Sequence, residues 1–196
     1  GATAFGIYPF NRFRRIELFG GMSRYQERFN DPLLEQISVD FQQENFGRNL
    51  FNNGTMVPVG AAFVQETTIF REFGPVSGNT MRVSYEIGPK FGNSLNRQTV
   101  DLDLRKYIRL GASGLLAMRA RGFNSWGDTP DFIYFGGNSE LRGYEYLEFL
   151  GSQAAFLNAE LRFPLIEAML TPLGVLGGIR GVMFAGLGGG AYDGLS

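Results

Sequence analysis

The stretch Thr80-Met81-Arg82-Val83-Ser84-Tyr85-Glu86-Ile87 places an apolar side chain at every second position. Because successive side chains of a β-strand point to opposite faces, this alternation predicts a strand with one apolar and one polar face. The same period recurs, with charged residues on the polar side, in residues 15–22, 98–110, 153–163 and 179–187. Less regular strands are expected at residues 58–71 and 112–121. We therefore predict an all-β, antiparallel chain of roughly seven or eight long strands.

The composition excludes most kinds of enzyme chemistry. The 196 residues include no cysteine and no histidine, which removes disulfides, thiolate and imidazole catalysis, and histidine metal ligands. With 18 Lys+Arg against 19 Asp+Glu, a net charge of −1 gives no basis for attracting nucleic acid. All cations except Lys90 and Lys106 are arginines, whose forked guanidinium suits fixed ion pairs. We expect a protein that is not an enzyme, uses no cofactor and binds no nucleic acid.

Two classes of β-protein share this alternation but orient it in opposite ways. In a soluble sandwich or barrel the apolar side chains face a core, whereas in an outer-membrane barrel they face lipid and the ionic ones line the lumen. Long strands, and short turns that alternate with longer polar segments, favour the membrane barrel. Long loops are predicted at residues 27–56 and 123–152, and a shorter one at residues 89–96. Aromatic residues also crowd the predicted strand ends: Phe10, Phe13, Tyr25, Phe70, Phe73, Phe91, Phe123 and Trp126.

A glycine-containing motif lies in the second long loop. The motif is Phe135-Gly136-Gly137-Asn138-Ser139-Glu140-Leu141-Arg142-Gly143-Tyr144. Glu160-Leu161-Arg162-Phe163-Pro164 follows on the next predicted strand, and Arg180-Gly181-Val182-Met183-Phe184 on the one after it. This order resembles the C-terminal barrel of the BamA/TamA outer-membrane insertase superfamily, also called the bacterial surface antigen family. Its loop-six signature is a Gly-Gly pair followed by (Leu/Val)-Arg-Gly-(Phe/Tyr). The resemblance covers about residues 99–190, and the first half agrees in strand pattern only.

The physical role of Arg142 depends on where the loop lies. If the loop is solvated, Arg142 is an ordinary loop cation. If the loop folds into the lumen, the guanidinium needs an acceptor, because an unpaired charge away from bulk water is costly. Glu160, on the polar face of the next strand, is the natural partner. Gly143 would then permit a tight bend, and Tyr144 could pack against the wall.

The resemblance implies the lumenal alternative. In the family, the motif arginine is held by acidic residues of the next two strands, which assigns Glu160 as the partner of Arg142. The second acidic position, two residues after Phe184, holds Gly186 in this chain. We therefore expect a clamp with a single carboxylate. On the polar face of the strand at residues 98–110, Asp101 and Asp103 are expected to form an ionic ladder with arginines at positions 105 and 109.

The resemblance also implies a fold and a function. The family barrel has sixteen strands, so residues 1–196 would form part of one transmembrane barrel domain, with about three more strands after residues 180–190; eight strands could also close into a small barrel. The expected function is protein insertion or translocation at the outer membrane, in which a seam between the first and last strands pairs with client strands. The expected partners are the lipid bilayer, client outer-membrane or secreted polypeptides, and accessory assembly subunits. A passive porin-like channel and a soluble β-barrel binding protein are the alternatives.

Overall fold

The computed structural model describes residues 1–25, 29–46, 54–71, 74–92, 94–138, 140–172 and 174–192, so that Phe73 and Ser139 lie outside the described residues. The all-β class predicted from the sequence is confirmed, because strands dominate this part of the chain. The elements in chain order are β1 (Ala2–Asn11), β2 (Arg14–Tyr25), α1 (Pro32–Phe46), β3 (Gly54–Met56), β4 (Val59–Glu66), β5 (Ile69–Arg71), β6 (Gly74–Gly88), β7 (Arg97–Leu110), β8 (Gly114–Gly127), β9 (Ile133–Phe135), β10 (Phe149–Gly151), β11 (Gln153–Thr171) and β12 (Gly174–Ala191).

The large sheet is an antiparallel meander. Its strands follow the order β1-β2-β4-β6-β7-β8-β11-β12, while β3 adds to β2 and β5 adds to β6. The remaining two strands, β9 and β10, pair with each other. In the described residues β1 and β12 are the two edges and do not pair with one another, so the sheet is open.

The connections divide the sheet into two different ends. The links β1–β2, β5–β6, β7–β8 and β11–β12 take two or three residues each and share one end, here called the short-turn end. The links β2–β3, β6–β7 and β8–β11 are longer and share the opposite end, here called the long-loop end. The long strands β6, β7, β8 and β11 therefore each run between a tight turn and a longer segment.

The polar side chains lie on the covered face of the sheet. Strand register aligns Glu17, Ala62, Ser84 and Asp101 in one row on this side, here called the ionic face. Glu17 and Ala62 are buried there, with exposed fractions of 7% and 1%. Charged groups are rarely that inaccessible unless they are paired.

The apolar side chains lie on the exposed face. Register aligns Ile16, Phe63, Val83 and Leu102 in a row on this side, here called the apolar face. On β11 the contrast is sharp, because Phe156 on the ionic face is 1% exposed and its neighbour Leu157 on the apolar face is 51% exposed. A soluble sandwich has the opposite arrangement, with its apolar rows buried.

The predicted loop at residues 27–56 is partly wrong, because its described residues include α1 and β3. Asp31 caps the helix by accepting a hydrogen bond from the Leu33 amide at 2.9 Å, and Pro32 occupies the first helical position. Residues 47–53 of the predicted loop lie outside the described residues. In the described residues no helix is both long enough and apolar enough to cross a membrane.

The second predicted loop, residues 123–152, is also partly wrong. Its first residues continue β8 as far as Gly127, and its remainder contains the paired strands β9 and β10. The segment between β8 and β11, residues 128–152, is called the inner loop below.

Candidate functional site

The inner loop is attached to the ionic face by a cluster of aromatic rings. Phe135 of β9 is completely buried. Its ring stacks on Phe149 of β10, with centroids 5.2 Å apart, and on Phe156 of β11, with centroids 5.9 Å apart. Leu141 and Ala154 complete this cluster. The loop is therefore packed on the covered side of the sheet instead of extending into solvent.

The Gly-Gly pair provides the turn that the loop needs. Gly136 and Gly137 have φ angles of +132° and +86°, which side chains with a Cβ rarely adopt. The Gly136 amide donates to Glu140 Oε2 at 3.0 Å, and the Glu140 amide donates to the Gly137 carbonyl at 3.1 Å. This turn places Leu141 antiparallel to Gly137 and brings the next residue, Arg142, to the sheet.

Arg142 pairs with the carboxylate expected from the sequence. Its Nη2 atom lies 2.6 Å from Glu160 Oε1, and its Nε donates to the Asn138 carbonyl at 3.1 Å. The guanidinium carbon also lies 4.9 Å from the centroid of the Phe184 ring, within the range of a cation–π contact. The second Glu160 oxygen accepts from Arg162 Nη2 at 2.7 Å. Glu160 is thus shared between a loop arginine and a strand arginine.

The glycines of β12 make room for the loop. A Cβ atom added at Gly186 would lie 2.8 Å from Asn158 Oδ1, and one at Gly188 would lie 2.6 Å from Phe156 Cβ and 3.0 Å from Leu141 Cδ1. Position 186, where the resemblance implies a second acidic residue, is thus occupied in part by the Asn158 side chain. Asn158 contributes a different attachment, because its side-chain amide donates a hydrogen bond to the Glu140 carbonyl.

The other motif residues are placed as follows. Gly143 has a φ of +97°, in keeping with the expected bend. Tyr144 packs edge-on against Phe149, with centroids 4.9 Å apart, so its ring contact lies within the loop and not with the wall as expected. Phe163 lies on the apolar face, where its ring occupies the space beside Gly181. Pro164 pairs in register with Arg180 at an irregularity of β11. Phe163, Pro164 and Arg180 are therefore not brought to Arg142.

The ionic face carries further arginine–carboxylate clusters. Asp103 is within 2.8 Å of Arg105 and 2.9 Å of Arg119, and Asp101 is 2.6 Å from Arg121. The expected ladder therefore includes Arg105, but the prediction for Arg109 was wrong, because Arg109 Nη2 donates to the Ala112 carbonyl at 2.8 Å.

A third cluster lies on the first half of the sheet. Glu17 of β2 accepts from Arg82 at 2.5 Å and from Arg15 at 2.8 Å. Cross-strand ion pairs of this kind connect β2 with β6 and β7 with β8. They neutralise charges that would otherwise be costly to cover.

No family model matches this chain, and a search of the curated proteins finds no match either. In the described part of the chain no three His, Cys, Asp or Glu side chains are grouped so that they could hold a metal ion. The geometry around Arg142 is that of an attachment point, where the inner loop is held to the sheet by an ion pair, an aromatic cluster and the hydrogen bond from Asn158 to Glu140.

Proposed function

We propose that this chain forms part of a transmembrane β-barrel of the outer membrane, with its apolar face against lipid and its ionic face toward the lumen. The observation that carries the proposal is the contrast in exposure between the two faces. Leu18, Leu157 and Leu187 on the apolar face are each more than half exposed, whereas Glu17 and Asp103 on the ionic face are buried. Exposed apolar surface costs about 25 cal/mol per Å² in water, and contact with hydrocarbon removes that cost.

The height of the apolar face agrees with a membrane. On β2 the apolar run is bounded by Arg14 and Arg24, which are ten residues apart on the same face. At about 3.3 Å per residue this is roughly 33 Å along the strand, and a tilt of about 40° reduces it to roughly 25 Å. Outer-membrane barrels have an apolar band about 25 Å tall.

We further propose that the protein is an assembly or translocation factor that acts on client polypeptides through β-augmentation. The support comes from the inner loop. The loop is held on the ionic face by Arg142 and would occupy the lumen, which suits a protein that works at its wall better than an open pore. Edge strands offer unpaired backbone N–H and C=O groups, which an incoming strand can pair with whatever its side chains are.

The orientation is tested with the cysteine-free chain. Single variants Val83→Cys and Ser84→Cys occupy neighbouring positions on opposite faces of β6 and lie away from the inner loop. Each is spin-labelled after refolding into phosphatidylcholine liposomes, and its accessibility to oxygen and to a water-soluble nickel chelate is measured. We expect oxygen to relax the label at 83 more strongly, and the nickel chelate to relax the label at 84. A label at 83 that is reached mainly by the nickel chelate would contradict the membrane orientation.

The activity is tested with liposomes that contain the protein and a urea-unfolded outer-membrane barrel protein as client. Insertion of the client is followed by its protection from added protease. We expect faster insertion than into empty liposomes, a decrease with Arg142→Ala and no change with Arg12→Ala, a variant outside the loop. Equal rates with and without the protein would reject the assembly function. A large, steady single-channel conductance without faster insertion would favour a porin.

A further inference from the structure

A cavity of about 540 Å³ lies at the short-turn end of the sheet. Three arginines from distant parts of the chain line it: Arg71 of β5, Arg109 of β7 and Arg180 of β12. Register places Arg109 and Leu115, another lining residue, on the ionic face. The cavity therefore opens on the side of the sheet away from the apolar face.

Arg71 and Arg109 contrast with the arginines on the rest of the ionic face. Elsewhere on this face, arginines form ion pairs with carboxylates: Arg15, Arg82, Arg97, Arg105, Arg119, Arg121 and Arg162. Arg109 instead donates to a backbone carbonyl, and the Arg71 side chain forms no hydrogen bond or ion pair among the described residues. The described lining of the cavity includes no Asp or Glu. Guanidinium groups without local carboxylates create a positive potential that attracts anions.

We propose that this cavity binds carboxylate groups of an acidic segment of the client polypeptide as it approaches the lumen. The identification of the ligand as a polypeptide rests on the proposed function, whereas the anionic chemistry follows from the lining. Guanidinium groups bind carboxylates through two parallel hydrogen bonds, and Arg71 and Arg109, which have no carboxylate partner among the described residues, suit a segment with two acidic side chains. A volume of about 540 Å³ falls in the range of ligand pockets.

The cavity is partly organised before a ligand arrives. The bond from Arg109 to the Ala112 carbonyl fixes this guanidinium against the β7–β8 turn. Leu115, which is 8% exposed, forms a rigid apolar part of the lining. An arginine that is already held loses less side-chain freedom on binding, which raises affinity for a given set of contacts.

The experiment measures binding of a fluorescent peptide by anisotropy. The probe is a glycine peptide with four interspersed glutamates, and the protein is the refolded full chain in neutral detergent micelles. We expect saturable binding that weakens with salt and decreases about tenfold or more in the double variant Arg71→Ala/Arg109→Ala. Arg14→Ala is the matched control, because it removes a cation at the same end but from the apolar face, where Arg14 bonds to Gln65.

A charge reversal guards against variants that merely fold poorly. Arg109→Glu should weaken binding of the glutamate peptide and strengthen binding of the corresponding lysine peptide. A general loss of structure cannot strengthen binding. Equal affinity of wild type and double variant for the glutamate peptide would overturn the proposal. If the protein does not speed client insertion but binds the glutamate peptide through these arginines, the proposed function is rejected and the anion site is supported. If the protein speeds client insertion but does not bind the peptide in this way, only the anion site is rejected.

Discussion

Replacing Arg142 by alanine should loosen the inner loop without unfolding the sheet. The change removes the 2.6 Å ion pair to Glu160, the bond to the Asn138 carbonyl and the contact with the Phe184 ring. Glu160 keeps its bonds to Arg162, so no carboxylate is left unpaired. A charge-assisted hydrogen bond contributes about 1.5–3 kcal/mol. The Arg142 side chain is 30% exposed, which lowers this value, and we expect the free energy of loop closure to fall by about 1–2 kcal/mol.

A single thiol beneath the loop reports this change. Ala154 is 9% exposed and belongs to the aromatic cluster that the loop covers, and Ala154→Cys adds one sulfur to a chain that has no other cysteine. A maleimide reagent then reacts only when the loop opens, so its rate follows the opening equilibrium. A loss of 1–2 kcal/mol corresponds to labelling that is about 5–30 times faster in Arg142→Ala.

A double-mutant cycle separates the ion pair from general damage. Because Arg142 and Glu160 contact each other, the effects of Arg142→Ala and Glu160→Gln should be less than additive in the combined variant. Arg12→Ala, outside the loop, should label at the wild-type rate. If Arg142→Ala labels no faster than wild type while its circular dichroism is unchanged, the ion pair does not hold the loop and the reasoning is refuted.

Two further predictions concern packing and charge on the ionic face. Gly188→Ala places a Cβ atom 2.6 Å from Phe156 Cβ, and the resulting overpacking should cost about 1–3 kcal/mol and make the Ala154→Cys thiol react faster with maleimide. Gly189→Ala is the control, because its Cβ would meet nothing within 4 Å and should leave the labelling rate unchanged. Equal effects of the two variants would refute the packing argument. Asp103→Asn removes the carboxylate that arginines of β7 and β8 share, and it should lower the free energy of unfolding by about 2–4 kcal/mol. Denaturant titration in micelles measures this change. Asp128→Asn, which breaks an exposed ion pair, is the control and should change the free energy of unfolding by less than about 1 kcal/mol.

The strands that could be predicted were those with chemically different faces. Alternation placed a strand at residues 98–110, and β7 spans Arg97–Leu110. β1 was not predicted, because its two faces do not differ in polarity and a two-residue period therefore cannot be detected. One face carries Phe5, Ile7 and Pro9, and the other carries Ala4 and Tyr8. The strand predicted at residues 153–163 continues, as β11, through an irregularity in register to Thr171.

The helix was missed because the polar content of its segment concealed an apolar stripe. Leu34, Ile37 and Phe41 follow a helical spacing, and Asp31 with Pro32 is a helix start that the sequence already shows.

The ion pair at Arg142 was predicted through the family resemblance and the polarity of the next strand. The attachment through Asn158 and the stack of Phe135 on Phe156 depend on tertiary packing, which a period cannot express. One feature of the sequence did indicate them. Gly186, Gly188 and Gly190 leave the last part of one face of β12 without side chains, which suggests that another part of the chain packs there.

The distribution of charge on the ionic face connects the two proposals. Glu17, Asp103 and Glu160 each serve two or more arginines, so carboxylates are fewer than guanidinium groups even where pairing is close. At the short-turn end, Arg71 and Arg109 have no carboxylate partner among the described residues. Under the proposed function, an acidic client segment would meet its strongest attraction at that end. Strand pairing at the sheet edge uses backbone groups and carries no charge requirement. Salt should therefore weaken binding of the acidic client segment much more than it weakens strand pairing.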